Sequence, residues 1–592
     1  MPGAPMQTIP QLLFSTVNAY GAQPAFKVKR QGEWNAISWS EYGAEVRRAA
    51  RALVAIGVEA GAGVTIIGFN RPEWFVANMA AITVGALPAG IYTTSSAEQC
   101  QYITAHCDAA VAFVENAEQL RKYLSIRDAL PMLKAIVVMD ERDASGGALT
   151  WSEFLAKGDA VSQALVDTRM AAQQPDDVCA LIYTSGTTGV PKAVMLSHDN
   201  IVWTTEVATR LAGFVEGDEV ISYLPLSHIA EAGVSMYGPM HHGRTVWFAQ
   251  SQETLKADLL DAQPHGFLGV PRVWEKIQEG IAAAGAKNPP LKKKISAWAR
   301  KIGLEGGYAS QQKRAKPLMW PVANALVFKK VRGALGLTRA KILATSAAPI
   351  SKDTLEFFLS LGLPICEIYG MSECTGPATM SQPHRYHTGK AGFCLEGAEM
   401  KIAEDGEICM RGRHVFKGYF KDPENTALTV DEDGWLHSGD IGTIDAEGFL
   451  QVTDRKKELI ITAGGENVAP QMVEGALKGI PVVSQAVVIG DRRRFISALV
   501  TLDPARVPID AAAAGSAAQT PEQAANCVKF NAWLFEQVEQ VNGKLARVQS
   551  VRKVKVLPRE LTIENGELTP TMKLKRRVIL ERYSAEVEEM YR

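Results

Sequence analysis

Residues 183–192 read Tyr183-Thr184-Ser185-Gly186-Thr187-Thr188-Gly189-Val190-Pro191-Lys192, and the rest of the chain is read outward from them. They follow an apolar run, Val178 to Ile182, that reads as a buried strand ending at a loop. The loop gathers four hydroxyl residues and two glycines ahead of one lysine. Glycines let backbone N–H groups turn toward an anion, hydroxyls add donors, and lysine brings positive charge. This is a composition suited to gripping phosphate. It is not a Walker A loop, because the G-x-x-x-x-G-K-[ST] spacing is missing. Without its context the same composition would also describe a flexible surface turn.

At 592 residues the chain is too long for one core, so two or more domains are expected. A hydrophobic content of 47% and a charged content of 21% are ordinary for a globular protein. Lysine and arginine number 63 against 64 acidic residues, which argues against nucleic-acid binding driven by bulk charge. No basic segment followed by an apolar one opens the chain, so no secretory signal is expected. The most apolar window, Val76 to Tyr92, is rich in Ala, Gly and Thr and contains a proline, too weak for a spanning helix. The eight cysteines form no C-x-x-C pair, which suggests neither a zinc site nor a disulfide framework and fits a reducing, cytoplasmic setting.

The N-terminal part alternates helical and strand patterns, as an α/β layer fold does. Ser40 is a candidate cap for a helix with an apolar face at Tyr42, Val46, Ala49 and Leu53, and Gly57 is its stop. Val64 to Phe69 and Ala135 to Met139 read as buried strands. Between Ala283 and Leu337 lies a basic, helical-looking insertion, with Trp298, Met319 and Trp320 among its lysines and arginines. It reads as a solvated helix face, or as a patch resting on anionic lipid beside an acyl-chain entrance. After Lys401 the texture is β-rich, with hairpins expected around Asp405-Gly406 and Ala446-Glu447-Gly448. The charged run Asp454 to Glu458 marks a hinge, giving domains of residues 1–454 and 455–592. Val507 to Ala525 reads as an exposed loop inside the second domain.

Five further stretches extend the pattern: Leu224-Pro225-Leu226-Ser227-His228, Tyr369-Gly370-Met371-Ser372-Glu373, His437-Ser438-Gly439-Asp440, Asp454-Arg455 and Thr569-Pro570-Thr571-Met572-Lys573. In order and approximate spacing, together with residues 183–192, they resemble the adenylate-forming enzymes: acyl-CoA synthetases, luciferases and the adenylation domains of peptide synthetases. The resemblance implies a large multi-layer α/β N-terminal domain with a β-rich subdomain, and a small mobile α/β C-terminal domain. It also implies that ATP, Mg²⁺ and CoA serve the reaction. One departure stands beside the loop, where Ala193 follows Lys192 and the family commonly has glycine.

An adenylating enzyme must bind ATP, hold Mg²⁺ and stabilise charge as a carboxylate attacks the α-phosphorus. Glu373 supplies a hard oxygen for Mg²⁺, with Thr184 as its partner ligand. Tyr369 offers a flat face for adenine, and Asp440 has two oxygens for the ribose hydroxyls. Arg455 brings a fork of donors to ribose or phosphate. The resemblance carries the nucleotide role to Thr184, Ser185, Gly186, Thr187, Thr188, Gly189, Lys192, Ala347, Gly370, Met371 and Ser372. It makes Lys573 the catalytic cation, reaching the α-phosphate when its domain closes, and sets His228 between the acyl carboxylate and the pocket wall. It further implies that the small domain rotates after adenylation about Lys457, bringing Gly464, Gly465 and Glu466 to the pantetheine of CoA. Glu373, Arg455 and Lys573 also have a plain alternative as solvated surface charges, Asp440 as an Asx-turn, His228 as a structural histidine and Tyr369 as a core aromatic.

The runs Gly269 to Lys276, Ala344 to Pro349, Ile368 to Gly376 and Leu568 to Arg576 resemble long-chain acyl-CoA synthetases of the bubblegum type. A long-chain fatty acid–CoA ligase is therefore expected, with fatty acid, ATP and CoA as its partners. Peripheral membrane contact and a homodimer are left open, and no nucleic acid is expected. Alternatives are a medium-chain or aryl acid–CoA ligase, an acyl-AMP ligase that loads a carrier protein, and a non-catalytic nucleotide- or acyl-binding protein.

Overall fold

The computed structural model describes residues 6–184, 190–456, 458–463, 466–569 and 573–592. Among these, nine strands form one sheet running from Phe393–Cys394 through Gly376–Met380, Cys366–Met371, Ile342–Thr345, Gly266–Gly269, Glu219–Ser222, Thr245–Phe248 and Pro24–Arg30 to Glu33–Ser38. Eight form a second, ordered Gly418–Tyr419, Lys192–Ser197, Val178–Thr184, Leu87–Ile91, Gly63–Ile67, Ala109–Val114, Ala135–Val138 and Leu149–Thr150. The central pairs of both sheets are parallel. Gly63–Ile67 and Ala109–Val114 are buried along their whole length, as strands covered on both faces must be.

Pro72–Thr83 is buried from Trp74 onward, because it is apolar on every side and only the interior suits such a helix. The most apolar window of the sequence is thus a core helix followed by the strand Leu87–Ile91. Among the described residues no helix is long and apolar enough to cross a membrane.

The helix expected from Ser40 begins two residues earlier, at Trp39, and ends at Ile56. Ser38 is its cap: its side chain accepts from the Glu41 N–H while Glu41 reaches back to the Ser38 N–H, a reciprocal pairing that Ser40 cannot make. Gly57 closes it in the left-handed region, φ 83°.

Both expected hairpins form, in a sheet ordered Glu399–Ile402, Glu407–Arg411, Leu436–Ile444, Leu450–Arg455. The register of the second sets Asp440 opposite Arg455. That pairing builds half of the site described below.

From Ile460 onward a separate apolar core gathers around the antiparallel pair Val483–Ile489 and Ile496–Leu502, extended in parallel by Val551–Val556 and covered by Val528–Asn542. The loop expected at 507–525 is mostly helical instead, with Val507–Ala513 and Pro521–Ala525. Alanine is the best helix former, Val507 and Ala511 are buried, and Arg506 pairs with Asp510 one turn on. The expected α/β class, with a large N-terminal part and a smaller C-terminal one, is the class observed.

The basic insertion is helical, chiefly Pro290–Gln311 and Lys329–Ala334, with the end of Pro271–Ala286 leading into it. Trp298 and Trp320 pack against the buried cluster of Ala299, Ala323 and Phe328, while Leu291 is 70% and Leu318 97% exposed.

Candidate active site

The N-terminal sheets, the four-stranded sheet and the C-terminal part meet at one cavity of about 430 Å³. Ser346 and Ala347 follow the strand Ile342–Thr345, and Gly370 and Met371 end the strand Cys366–Met371. All four line the cavity, so its polar mouth lies past the carboxyl ends of parallel strands, where α/β sheets bind ligands. Gly370 is required there: a Cβ would lie 1.7 Å from the carbonyl oxygen of Gly376. Ala347 holds φ 74°, a left-handed backbone that alanine rarely adopts.

Thr184 and Lys192 pair with each other at the ends of the antiparallel strands Val178–Thr184 and Lys192–Ser197, and both line the cavity. Lys192 Nζ lies 4.8 Å from the centroid of the Tyr419 ring, and the Tyr419 hydroxyl donates to Glu373 Oε1 at 2.8 Å. Glu373 Oε2 accepts no hydrogen bond among the described residues, so a carboxylate oxygen stays available at the cavity wall. Ala193, the departure from the family pattern, buries its methyl in the apolar cluster behind the second sheet, with its φ outside the left-handed region. No glycine is needed there.

Asp440 accepts from the Tyr369 hydroxyl at 2.8 Å on one oxygen and pairs with Arg455 Nε at 3.3 Å on the other. Each carboxylate oxygen has a second lone pair, so ribose hydroxyls can still be accepted. Burial raises the Asp440 pKa, and the Arg455 charge opposes that. Tyr369 is buried and does not itself line the cavity; its hydroxyl orients Asp440, and its chain neighbours Gly370, Met371 and Ser372 form the wall.

His228 lines the cavity and accepts the Ala230 N–H on Nδ1 at 3.2 Å, which leaves the proton of the neutral ring on Nε2. Burial, with Lys573 nearby, pushes its pKa down to about 4, so the ring is neutral at physiological pH.

Lys573 lines the same cavity although its nearest chain neighbours belong to the C-terminal part. Its backbone N–H donates to Thr569 Oγ1 and its carbonyl accepts the Thr569 N–H. Its Nζ has no hydrogen-bond or ion-pair partner among the described residues. Burial and the Arg455 charge push its pKa down to about 8, against the attraction of Asp440, Glu373 and Glu458.

The structure therefore gathers Thr184, Lys192, His228, Ala347, Gly370, Met371, Ser372, Glu373, Asp440, Arg455 and Lys573 around one space. Ser185, Gly186, Thr187, Thr188, Gly189, Lys457, Gly464 and Gly465 lie outside the described residues. Glu466 is exposed and away from the cavity.

Sequence reading missed Tyr419, which ties Lys192 to Glu373, and Glu458, which lines the cavity beside Lys573. Tyr419 lies in a two-residue strand that carries no local signal, and Glu458 is hidden among the charges of the hinge. Also missed was the apolar arm, walled by Ala208, Ala212, Phe214, Val234, Phe267, Leu268, Ile342 and Met380, with Arg244 at its far end.

A family model described as AMP-binding enzyme matches residues 13–420, and one described as AMP-binding enzyme C-terminal domain matches residues 457–592. The long-chain-fatty-acid–CoA ligase ACSBG2 of Xenopus laevis is 42% identical, the match covering 99% of this chain and 84% of that protein. The human long-chain-fatty-acid–CoA ligase ACSBG1 is 38% identical, over 99% of this chain and 85% of its own length. Among solved structures, the anthranilate CoA ligase AuaEII in complex with anthranoyl-AMP is similar with a TM-score of 0.73 at 19% identity, covering 99% of each chain. The A-PCP didomain of a carboxylic acid reductase from Segniliparus rugosus, in complex with AMP, is similar with a TM-score of 0.75 at 21% identity, over 99% of this chain and 82% of that one.

Proposed function

This chain belongs to the AMP-binding enzymes, and from that premise we propose that it is an ATP-dependent long-chain fatty acid–CoA ligase. A fatty carboxylate attacks the α-phosphorus of ATP to give acyl-AMP and pyrophosphate, and the thiol of CoA then displaces AMP. The observation that carries the reading is one cavity with a cationic, carboxylate-lined mouth and an apolar arm. Acid and nucleotide can meet there in a single space. Each buried CH₂ of the acyl chain contributes about 0.8 kcal/mol, so an apolar arm favours long acids.

In this reading Lys192 and residues 183–189 grip the phosphates, and Asp440, held by Tyr369 and Arg455, accepts the ribose hydroxyls. Neutral His228 donates its Nε2 proton toward the acyl carboxylate without neutralising the nucleophile. Lys573, unpaired and charged below about pH 8, stabilises the negative charge that grows on the α-phosphate. The free oxygen of Glu373 and the hydroxyl of Thr184 are hard ligands that suit Mg²⁺, which would offset phosphate charge when bound. Residues 1–454, with Arg455 at the end of the four-stranded sheet, hold nucleotide and acid, and the remainder of residues 455–592 forms the mobile part that delivers Lys573. After adenylation that part turns about Lys457 and presents Gly464, Gly465 and Glu466 to CoA.

A cytoplasmic setting with peripheral lipid contact completes the proposal. Leu291, Leu318, Met319, Val322 and Leu326 are exposed within the basic insertion, which supports lipid contact. Sedimentation with vesicles containing anionic lipid, and its loss on Leu318→Glu, is expected; a wild-type protein that stays in the supernatant would remove lipid contact from the account, and equal pelleting of both would take the role from Leu318.

The function is tested by mass-spectrometric product detection with ATP, Mg²⁺, CoA and an equimolar set of acids from acetate to stearate, plus benzoate. Palmitoyl- and stearoyl-CoA should dominate. Benzoyl- or short-chain thioesters would overturn the substrate class, and acyl-AMP accumulating without thioester would point to carrier loading.

A further inference from the structure

Arg244 stands at the end of the cavity opposite Lys573. It immediately precedes the strand Thr245–Phe248, whereas the polar mouth lies past the carboxyl ends of the neighbouring parallel strands. Val220 pairs with both Val246 and Gly266, and Gly266 pairs with Ile342. In that register Arg244 lies two positions before the level of Ile342, and Thr345 three positions beyond it. Five strand positions separate the two ends, roughly 16 Å.

The side chain is enclosed, with Arg244 only 1% exposed, yet among the described residues no carboxylate bonds it. Nη2 donates to Thr209 Oγ1 at 3.1 Å, and the guanidinium lies over the Phe214 ring, 4.3 Å from its centroid. Nε and Nη1 have no hydrogen-bond partner among the described residues, and Nε is fully buried. Asp218 acts on Arg244 only through space, being bonded to Lys341 at 2.7 Å. Burial pushes the Arg244 pKa down to about 9, the mark of a cation short of a counter-charge. Thr204 and Thr205 line the same stretch; Thr204 Oγ1 is buried without a partner among the described residues, and Thr205 is engaged with His241.

The methyl end of a plain fatty acid gives these donors nothing, and a buried charge facing hydrocarbon is unfavourable unless paired. A carboxylate matches the guanidinium fork and would supply the missing charge. We propose that Arg244 is a specificity residue that pairs with the distal carboxylate of α,ω-dicarboxylic acyl chains, so that the enzyme activates such acids at the opposite end. This rests on the ligase reading above. The distal carboxylate is bound and makes no covalent bond, while the proximal one is adenylated like any other.

The test measures thioester formation, with ATP, Mg²⁺ and CoA, for matched series of monocarboxylic, ω-hydroxy and α,ω-dicarboxylic acids. For the wild type, kcat/KM across the dicarboxylic series should peak at the one length that reaches Arg244, with no corresponding peak for monocarboxylic acids. Arg244→Met should shift the ratio of dicarboxylic to monocarboxylic kcat/KM at that length at least tenfold toward the monocarboxylic acid, and Arg244→Lys should shift it less. A wild-type dicarboxylic series below one-hundredth of the monocarboxylic values at every length would overturn the proposal. So would an Arg244→Met variant that lowers both series equally, or a peak confined to ω-hydroxy acids. The wild-type length profile decides alone if the variants fail to fold. Absence of thioester from every acid, monocarboxylic ones included, would instead remove the ligase reading.

Discussion

Asp440 and Lys573 face the same cavity and arrive there by different routes. Asp440 is fixed by strand register: it sits opposite Arg455 in an antiparallel pair, with one oxygen on Tyr369 and the other toward Arg455. Glu373 is anchored in the same manner through Tyr419. Lys573 comes from the C-terminal part, held locally by Thr569, with its ammonium group unpaired among the described residues. The contrast separates groups built into the sheets from a cation held only by its own local turn, as the proposed delivery of Lys573 requires. Without a partner for Nζ among the described residues, the proposed departure of the C-terminal part after adenylation breaks no strong bond at Lys573.

The contrast can be broken from the fixed side first. Gly370→Ala should give the largest loss, because its Cβ would strike the carbonyl of Gly376 at 1.7 Å and force the wall of the mouth apart. Both half-reactions and ATP binding should fall below detection, read by pyrophosphate release and by calorimetry; wild-type ATP affinity in that variant would refute the packing argument. Asp440→Asn should be milder. It weakens charged hydrogen bonds worth about 1.5–3 kcal/mol, so ATP affinity should drop by about tenfold to a hundredfold. An unaltered affinity would take the ribose role from Asp440.

The delivered side should show itself in pH dependence. Lys573 has its pKa lowered to about 8 by burial and by Arg455, so its charge disappears as pH rises through that value. The adenylation rate should be flat from about pH 6 to 7.5 and decline beyond about pH 8, whereas His228, already neutral above about pH 4, imposes no limb in that range. A rate that keeps climbing past pH 9 would contradict a cationic role for Lys573.

Much of this was legible before any coordinates. Apolar runs gave three strands of the eight-stranded sheet, Gly63–Ile67, Ala135–Val138 and Val178–Thr184, and the turn residues Ala446-Glu447-Gly448 gave the hairpin whose register joins Asp440 to Arg455. What stayed hidden is instructive. Ser38 outcompeted Ser40 as a cap because the reciprocal bond with Glu41 depends on spacing to a residue inside the helix. The helices within 507–525 were obscured because alanine, glycine and proline together read as a loop until burial of Val507 and Ala511 decides. Tyr419 and Arg244 reach the cavity through tertiary packing alone, with nothing local to mark them. Motif residues announce themselves, and the residues that support or extend the site do not.

The most direct test of the division between fixed and delivered groups is Lys573→Ala with the two half-reactions measured separately. Acyl-AMP formation from ATP and palmitate should fall by about 10²–10³, corresponding to roughly 2.7–4 kcal/mol of lost transition-state stabilisation, while ATP binding persists. Thioester formation from supplied palmitoyl-AMP and CoA should continue at the wild-type rate. Equal losses in both half-reactions, or normal adenylation, would contradict the account.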